Sequence, residues 1–190
     1  MMNRKIVFIG NSIVNGFPYQ RGASFAGIIE TETEFEVINR GINGQTSGEV
    51  LARFDSDVIS QRPDAVFILT GTNDFIYGQT VPEQVFDNLR EMKKLADSAG
   101  IKAVFLTPLP TDAEMASRCW ITGGDVDYER INRCLTGLAD IIMDSGFDFI
   151  DLNSLYRECG KFCDGVHPLP EGHRFIADRI MDHLSSQLFK

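Results

Sequence analysis

The sequence predicts an α/β protein in which a parallel sheet is covered by helices on both faces. Two observations carry that expectation. Short, nearly continuous apolar runs rich in Val, Ile and Phe alternate along the chain with longer segments of helical period. Strands that read as unbroken apolar runs are buried on both sides, which is the signature of a parallel sheet between helix layers. The chain also has 190 residues; at about 30 residues or more for each strand–helix unit, that leaves room for roughly five units and little else. No repeat, low-complexity tract or Pro/Gly/Ser linker divides it, so residues 1–190 read as a single domain.

In chain order, the strand-like runs are 5–9, 35–39, 65–70, 102–107 and 147–151, each ending at a turn residue or a polar cluster. A helix is predicted after the third run. Val81, Val85, Phe86, Leu89, Met92, Leu95 and Ala96 trace one face of it, and Pro82 stands in its first turn. Ile131, Leu135, Leu138 and Ile142 trace a second helix, and Phe175, Ile176, Ile180, Leu184 and Leu188 a third.

Composition narrows the function. Eighteen basic against 27 acidic residues give a net charge of −9, and an acid surplus argues against nucleic acid and anionic membrane surfaces, which need a basic footprint. No apolar stretch approaches the roughly 20 residues that span a bilayer. The apolar run 6–9 behind the basic N-terminus is too short for an export signal, so a cytoplasmic location is expected. In that compartment Cys119, Cys134, Cys159 and Cys163 are expected to remain thiols. The spacing of Cys159 and Cys163 does not match a zinc knuckle and no second pair accompanies it, so no metal and no cofactor are expected.

In open parallel sheets, ligands bind beyond the carboxyl ends of the strands. The residues there are Gly10-Asn11-Ser12, then Gly41-Ile42-Asn43-Gly44, then Gly71-Thr72-Asn73-Asp74, and, after the last strand, Asp164-Gly165-Val166-His167-Pro168. Serine needs a histidine base that is itself oriented by an acid. Ser12, His167 and Asp164 supply those types, and the spacing of three lets Asp164 and His167 share one turn. An oxyanion needs aimed donors, which the Asn73 amide and the Gly44 backbone N–H offer. Each residue also has a plain reading: a helix-cap serine, a turn histidine, a turn asparagine, a glycine at positive φ.

Taken together, these blocks resemble the SGNH, or GDSL-type, hydrolases, named for Ser, Gly, Asn and His in separate blocks. The resemblance runs from the first strand to the last helix. It implies a three-layer αβα fold with a five-stranded parallel sheet of flavodoxin-like order 2-1-3-4-5, and a serine esterase or acylhydrolase of small acyl esters. Ser12, Asp164 and His167 would be catalytic, and Ser12, Gly44 and Asn73 would form the oxyanion hole, with Gly41 the fallback for Gly44. The family usually has Asp where this chain has Asn11. A lysophospholipase or thioesterase of the same family is the nearer alternative. A non-catalytic flavodoxin-like or ligand-binding module is the more distant one, and it leaves the Asp164–His167 pair unexplained; a nucleotide-binding module would need a phosphate-binding glycine motif, and neither such motif occurs.

Substrate-lining candidates are Phe17, Tyr19, Phe75 and Tyr77, which follow the Ser12 and Asn73 blocks. Trp120 joins them from the long segment 108–125, although packing is the commoner use of a tryptophan. His173 and His183 are expected to face solvent or packing. The expected partner is a small-molecule ester, with at most a second copy of the chain in a homodimer.

Overall fold

The computed structural model describes residues 4–78, 80–120 and 126–188. Five strands, β1 (Lys5–Gly10), β2 (Glu36–Gly41), β3 (Ala65–Leu69), β4 (Lys102–Leu106) and β5 (Asp148–Ile150), form one sheet. Its order is β2-β1-β3-β4-β5 and every pairing is parallel. The sheet matches the expected class and order, and strand boundaries move by a residue or two. Phe147, expected at the start of the fifth strand, instead stacks against Phe105 with ring centroids 4.8 Å apart.

Ten α-helices are present among the described residues: α1 (Ser12–Asn15), α2 (Phe25–Glu32), α3 (Ser47–Ala52), α4 (Phe54–Asp57), α5 (Thr72–Tyr77), α6 (Pro82–Ser98), α7 (Ala113–Cys119), α8 (Tyr128–Asp144), α9 (Leu152–Cys159) and α10 (Pro170–His183). Alternate residues of each strand feed opposite layers. Ile6 and Phe8 of β1 pack with Phe25, Ile29, Ile176 and Ile180 of α2 and α10. Val7 and Ile9 pack on the other side with Val50, Leu89, Leu135 and Leu138 of α3, α6 and α8. The central strands are buried on both sides, as the apolar runs require. β2 is only partly buried, because it is the sheet edge and pairs with β1 alone.

Pro82 occupies the first turn of α6, where its missing N–H costs nothing. Val85, Leu89, Met92 and Ala96 bury the expected face. Val81 and Leu95 depart from it and are 46% and 41% exposed, Val81 because it is the N-cap residue ahead of the first turn. In α10, Ile176 and Ile180 are buried as the periodicity predicts, while the side chain of Leu188 lies outside the described residues. Among the described residues no helix is long and apolar enough to cross a membrane.

Candidate active site

All loops leaving the carboxyl ends of β1, β2 and β3 open on the same edge of the sheet. β1 ends at Gly10, and the chain turns at once into α1. Asn11 caps that turn, its Oδ1 accepting from the Ile13 N–H at 3.2 Å. Ser12 is therefore fixed at the first helical position, 8% exposed. Its hydroxyl donates to His167 Nε2 at 2.8 Å. The other ring nitrogen, Nδ1, donates to Asp164 Oδ2 at 2.7 Å. Only one neutral tautomer satisfies both contacts, with the proton on Nδ1.

Asp164 is held by its own loop. Its Oδ1 accepts the backbone N–H groups of Val166 at 3.0 Å and His167 at 2.8 Å. Burial pushes the carboxyl upward, but the His167 ring and these two N–H groups outweigh it and hold the group below its ordinary value. The acid is thus ionised and aimed. Gly165, between them, has φ of +86°, and a side chain there would collide with the backbone of Ala116 and Asp112. The absence of that side chain lets α7 dock directly on the Asp164–His167 loop, with the Asp112 N–H donating to Gly165 O at 2.8 Å.

The second and third loops bring Gly44 and Asn73 to the same place. Gly44 has φ of +79°, a conformation that favours glycine. Asn73 is the second residue of α5, and its Nδ2 donates to Gln45 O at 2.9 Å. That bond uses one amide hydrogen and leaves the second for the cleft. Gly41 stands apart from the cleft: its N–H donates to Asn39 Oδ1 at 2.9 Å, and a side chain there would collide with the backbone of Val14 and Asn15. Ser12, Gly44, Asn73 and His167 line one cleft of about 170 Å³. Drug-sized ligands occupy pockets of roughly 300–1,000 Å³, so this one is small.

The walls are mainly apolar. Phe17 lies 4.8 Å from the His167 ring, edge-on at 65°, and Trp120 lies 5.6 Å from it on a tilted plane. Trp120 is 37% exposed, so it is a wall of the cleft and not a core or loop anchor. Tyr77 also lines the cleft. Two candidates do not. Phe75 is fully buried against the α6–α8 layer, because the helical turn after Asn73 rotates residue 75 inward and residues 76 and 77 outward. Tyr19 meets the Cys163 side chain instead, and burial, followed by that thiol, raises its phenol above the usual value. Cleft residues not anticipated are Asn43, Ile76, Tyr128 and Val166. Asn43, Ile76 and Val166 sit inside or beside the motif blocks, a signal that proximity alone offered; Tyr128, at the start of α8, had none.

The segment 108–125 contains α7, and residues 121–125 of it lie outside the described residues. His173 and His183 are both buried and neither reaches the cleft. His183 Nε2 lies 3.2 Å from Asp148, and His173 Nδ1 accepts from the Phe25 N–H at 3.4 Å.

A sequence model of the GDSL-like lipase/acylhydrolase family matches residues 8–175. The chain belongs to that family. It is a carboxylic ester hydrolase, and the matched span runs from β1 into α10. Among curated relatives, an acetylxylan esterase of Geobacillus stearothermophilus is 27% identical, over 91% of this chain and 90% of its own. An arylesterase of Vibrio mimicus is 25% identical, over 98% of this chain and 90% of its own. The crystal structure of a GDSL-like lipase from Bacteroides thetaiotaomicron superimposes with a TM-score of 0.75 at 27% identity, covering 96% of this chain and 88% of that one.

Proposed function

We propose that the protein is a serine esterase of small acyl esters, acetyl or short-chain, working through Ser12, His167 and Asp164. The observation that carries this reading is the unbroken hydrogen-bond chain from the Ser12 hydroxyl through His167 to Asp164, at the wall of a small apolar cleft. In the first step Ser12 Oγ attacks the ester carbonyl while His167 Nε2 takes its proton. Asp164 holds the ring in the required tautomer and offsets the imidazolium charge. The oxyanion is received by the Ser12 and Gly44 N–H groups and the free Asn73 amide hydrogen. His167 then returns its proton to the leaving alcohol. Water, deprotonated by the same nitrogen, attacks the acyl-enzyme and releases the acid.

The narrow cleft favours a short acyl chain, and the relatives named for acetylxylan and aryl esters are consistent with a small acyl group on an exposed alcohol. The test is turnover of p-nitrophenyl esters from acetyl to palmitoyl, together with fluorophosphonate labelling. Ser12→Ala is expected to abolish both turnover and labelling while melting like the parent. Full labelling in that variant would overturn the assignment of the nucleophile, and a preference for palmitoyl would overturn the short-chain reading.

A further inference from the structure

Arg53 lies at the end of α3, behind the cleft and out of contact with it, and its guanidinium makes three bonds to three different parts of the scaffold. Nη2 donates to the backbone oxygen of Gly10, the last residue of β1, at 2.9 Å. Nε donates to Gln45 Oε1 at 2.6 Å. Nη1 pairs with Asp57 at 2.6 Å, and the two side chains are only 13% and 22% exposed. We propose that Arg53 is the positioning residue of the oxyanion hole, tying the loop that carries Gly44 to the strand end that carries Ser12. The proposal rests on the reading of Ser12, Gly44 and Asn73 as the oxyanion donors.

The geometry follows from what each anchored atom controls. Gly10 stands two residues before Ser12, and its carbonyl also accepts the Ile42 N–H at 3.1 Å, so Arg53 completes a junction between β1 and the start of the Gly44 loop. Gln45 follows Gly44 directly, and its backbone oxygen is the acceptor that orients the Asn73 amide. Holding the Gln45 side chain therefore fixes the donor before it and the acceptor that aims the third donor. Two residues on, the loop is gripped independently, where Ser47 donates through its N–H and its hydroxyl to Asp74 at 2.8 and 2.6 Å. Between those grips, Arg53 is the hold that the structure gives the Gln45 side chain. A planar fork whose donors point in fixed directions suits the task, since one rigid group sets three distances at once. Asp57 holds the fork in place and balances its charge.

Donors aimed at a developing oxyanion are sensitive to displacement, because a misplacement near 1 Å costs on the order of a hundredfold in rate. Arg53→Met is expected to lower kcat on p-nitrophenyl acetate tenfold to a hundredfold with KM changed less than about twofold, since the cleft walls are untouched. The pH profile of kcat/KM is expected to keep its shape. Gln45→Met, which removes one bond and leaves the Arg53–Asp57 pair and the Gly10 bond in place, is expected to lower kcat in the same sense and guards against a folding defect in the arginine variant. The decisive measurement is the cycle with Asn73→Ala. If Arg53 acts by aligning donors, its loss costs several-fold less once Asn73 is already truncated. Wild-type kcat in a folded Arg53→Met or Gln45→Met variant overturns the proposal, as do losses that multiply fully in the Asn73→Ala background. A full kcat in Asn73→Ala alone sinks the oxyanion reading and this proposal with it, whereas failure of the arginine arm alone leaves the esterase reading standing.

Discussion

His173 is a built-in acid sensitivity that lies away from the reaction. The ring is completely buried between α2 and α10, and its Nδ1 accepts the Phe25 N–H near the start of α2. The proton must then sit on Nε2, which meets no partner among the described residues. Burial first, and the neighbouring His167 second, push its pKa down to about 4. Protonation also destroys the acceptor that α2 uses. A base whose folded pKa lies below its unfolded value contributes stability above the unfolded value near 6.5 and loses it as pH falls toward 4. The gap is worth about 3 kcal/mol in all, with roughly 2 kcal/mol of it gone by pH 5. Urea unfolding at pH 7 and pH 5 reads this directly. The reference is His173→Asn, whose amide oxygen can replace Nδ1 as acceptor without titrating. That variant is expected to be less stable at pH 7, because it leaves a void, yet to lose about 2 kcal/mol less than the parent between the two pH values. Equal losses in both proteins would refute the reasoning and move the acid sensitivity elsewhere.

Two further outcomes are expected. Asn73→Ala removes one proposed oxyanion donor and should lower kcat about a hundredfold to a thousandfold, or roughly 2.7–4 kcal/mol, with little change in KM on p-nitrophenyl acetate. Phe75→Ala empties a core position and should cost about 3–5 kcal/mol in chemical denaturation; a loss under 1 kcal/mol would mean that residue 75 faces the cleft after all.

The sheet was legible because burial on two sides leaves no polar face to confuse the pattern. Val66, Phe67, Ile68 and Leu69 in succession admit hardly any other reading. The motif residues were legible for a different reason. Ser12, Gly44 and Asn73 each follow a strand end closely, and the parallel sheet places all such ends on one edge. What the residue pattern left undecided was whatever rotation or docking sets. Phe75 and Ile76 are adjacent and both apolar. Which of them reaches the cleft depends on the phase of α5, which Gly71 sets with φ of +111° against the Leu138 side chain. Trp120 reaches His167 only because α7 docks on Gly165, a contact between segments some 50 residues apart. Arg53 carries no spacing signal that points to the cleft: Asp57 stands four residues on, an ordinary helical ion-pair spacing, and the other two partners are a backbone oxygen 43 positions away and a neutral side chain.

Three polar side chains around Ser12, the proposed nucleophile, show how charge is apportioned there. Asp164 is held ionised by three donors and faces the imidazole. Asp74 is pushed upward by burial, with only the Ser47 donors and its own N–H pulling it back, and it serves the loop instead of the reaction. The third position is Asn11. Its Oδ1 supplies the cap of α1 that a carboxylate would also supply, so replacing the family's usual Asp leaves the placement of Ser12 intact. The difference is electrostatic. The oxyanion is proposed to form against the Ser12 N–H, and a carboxylate at residue 11 would set a negative charge beside it in a poorly solvated site, where such repulsion is weakly screened. With a neutral amide in that place, the one ionised carboxylate joined to the Ser12–His167 chain is the one facing the imidazolium, where its charge is favourable.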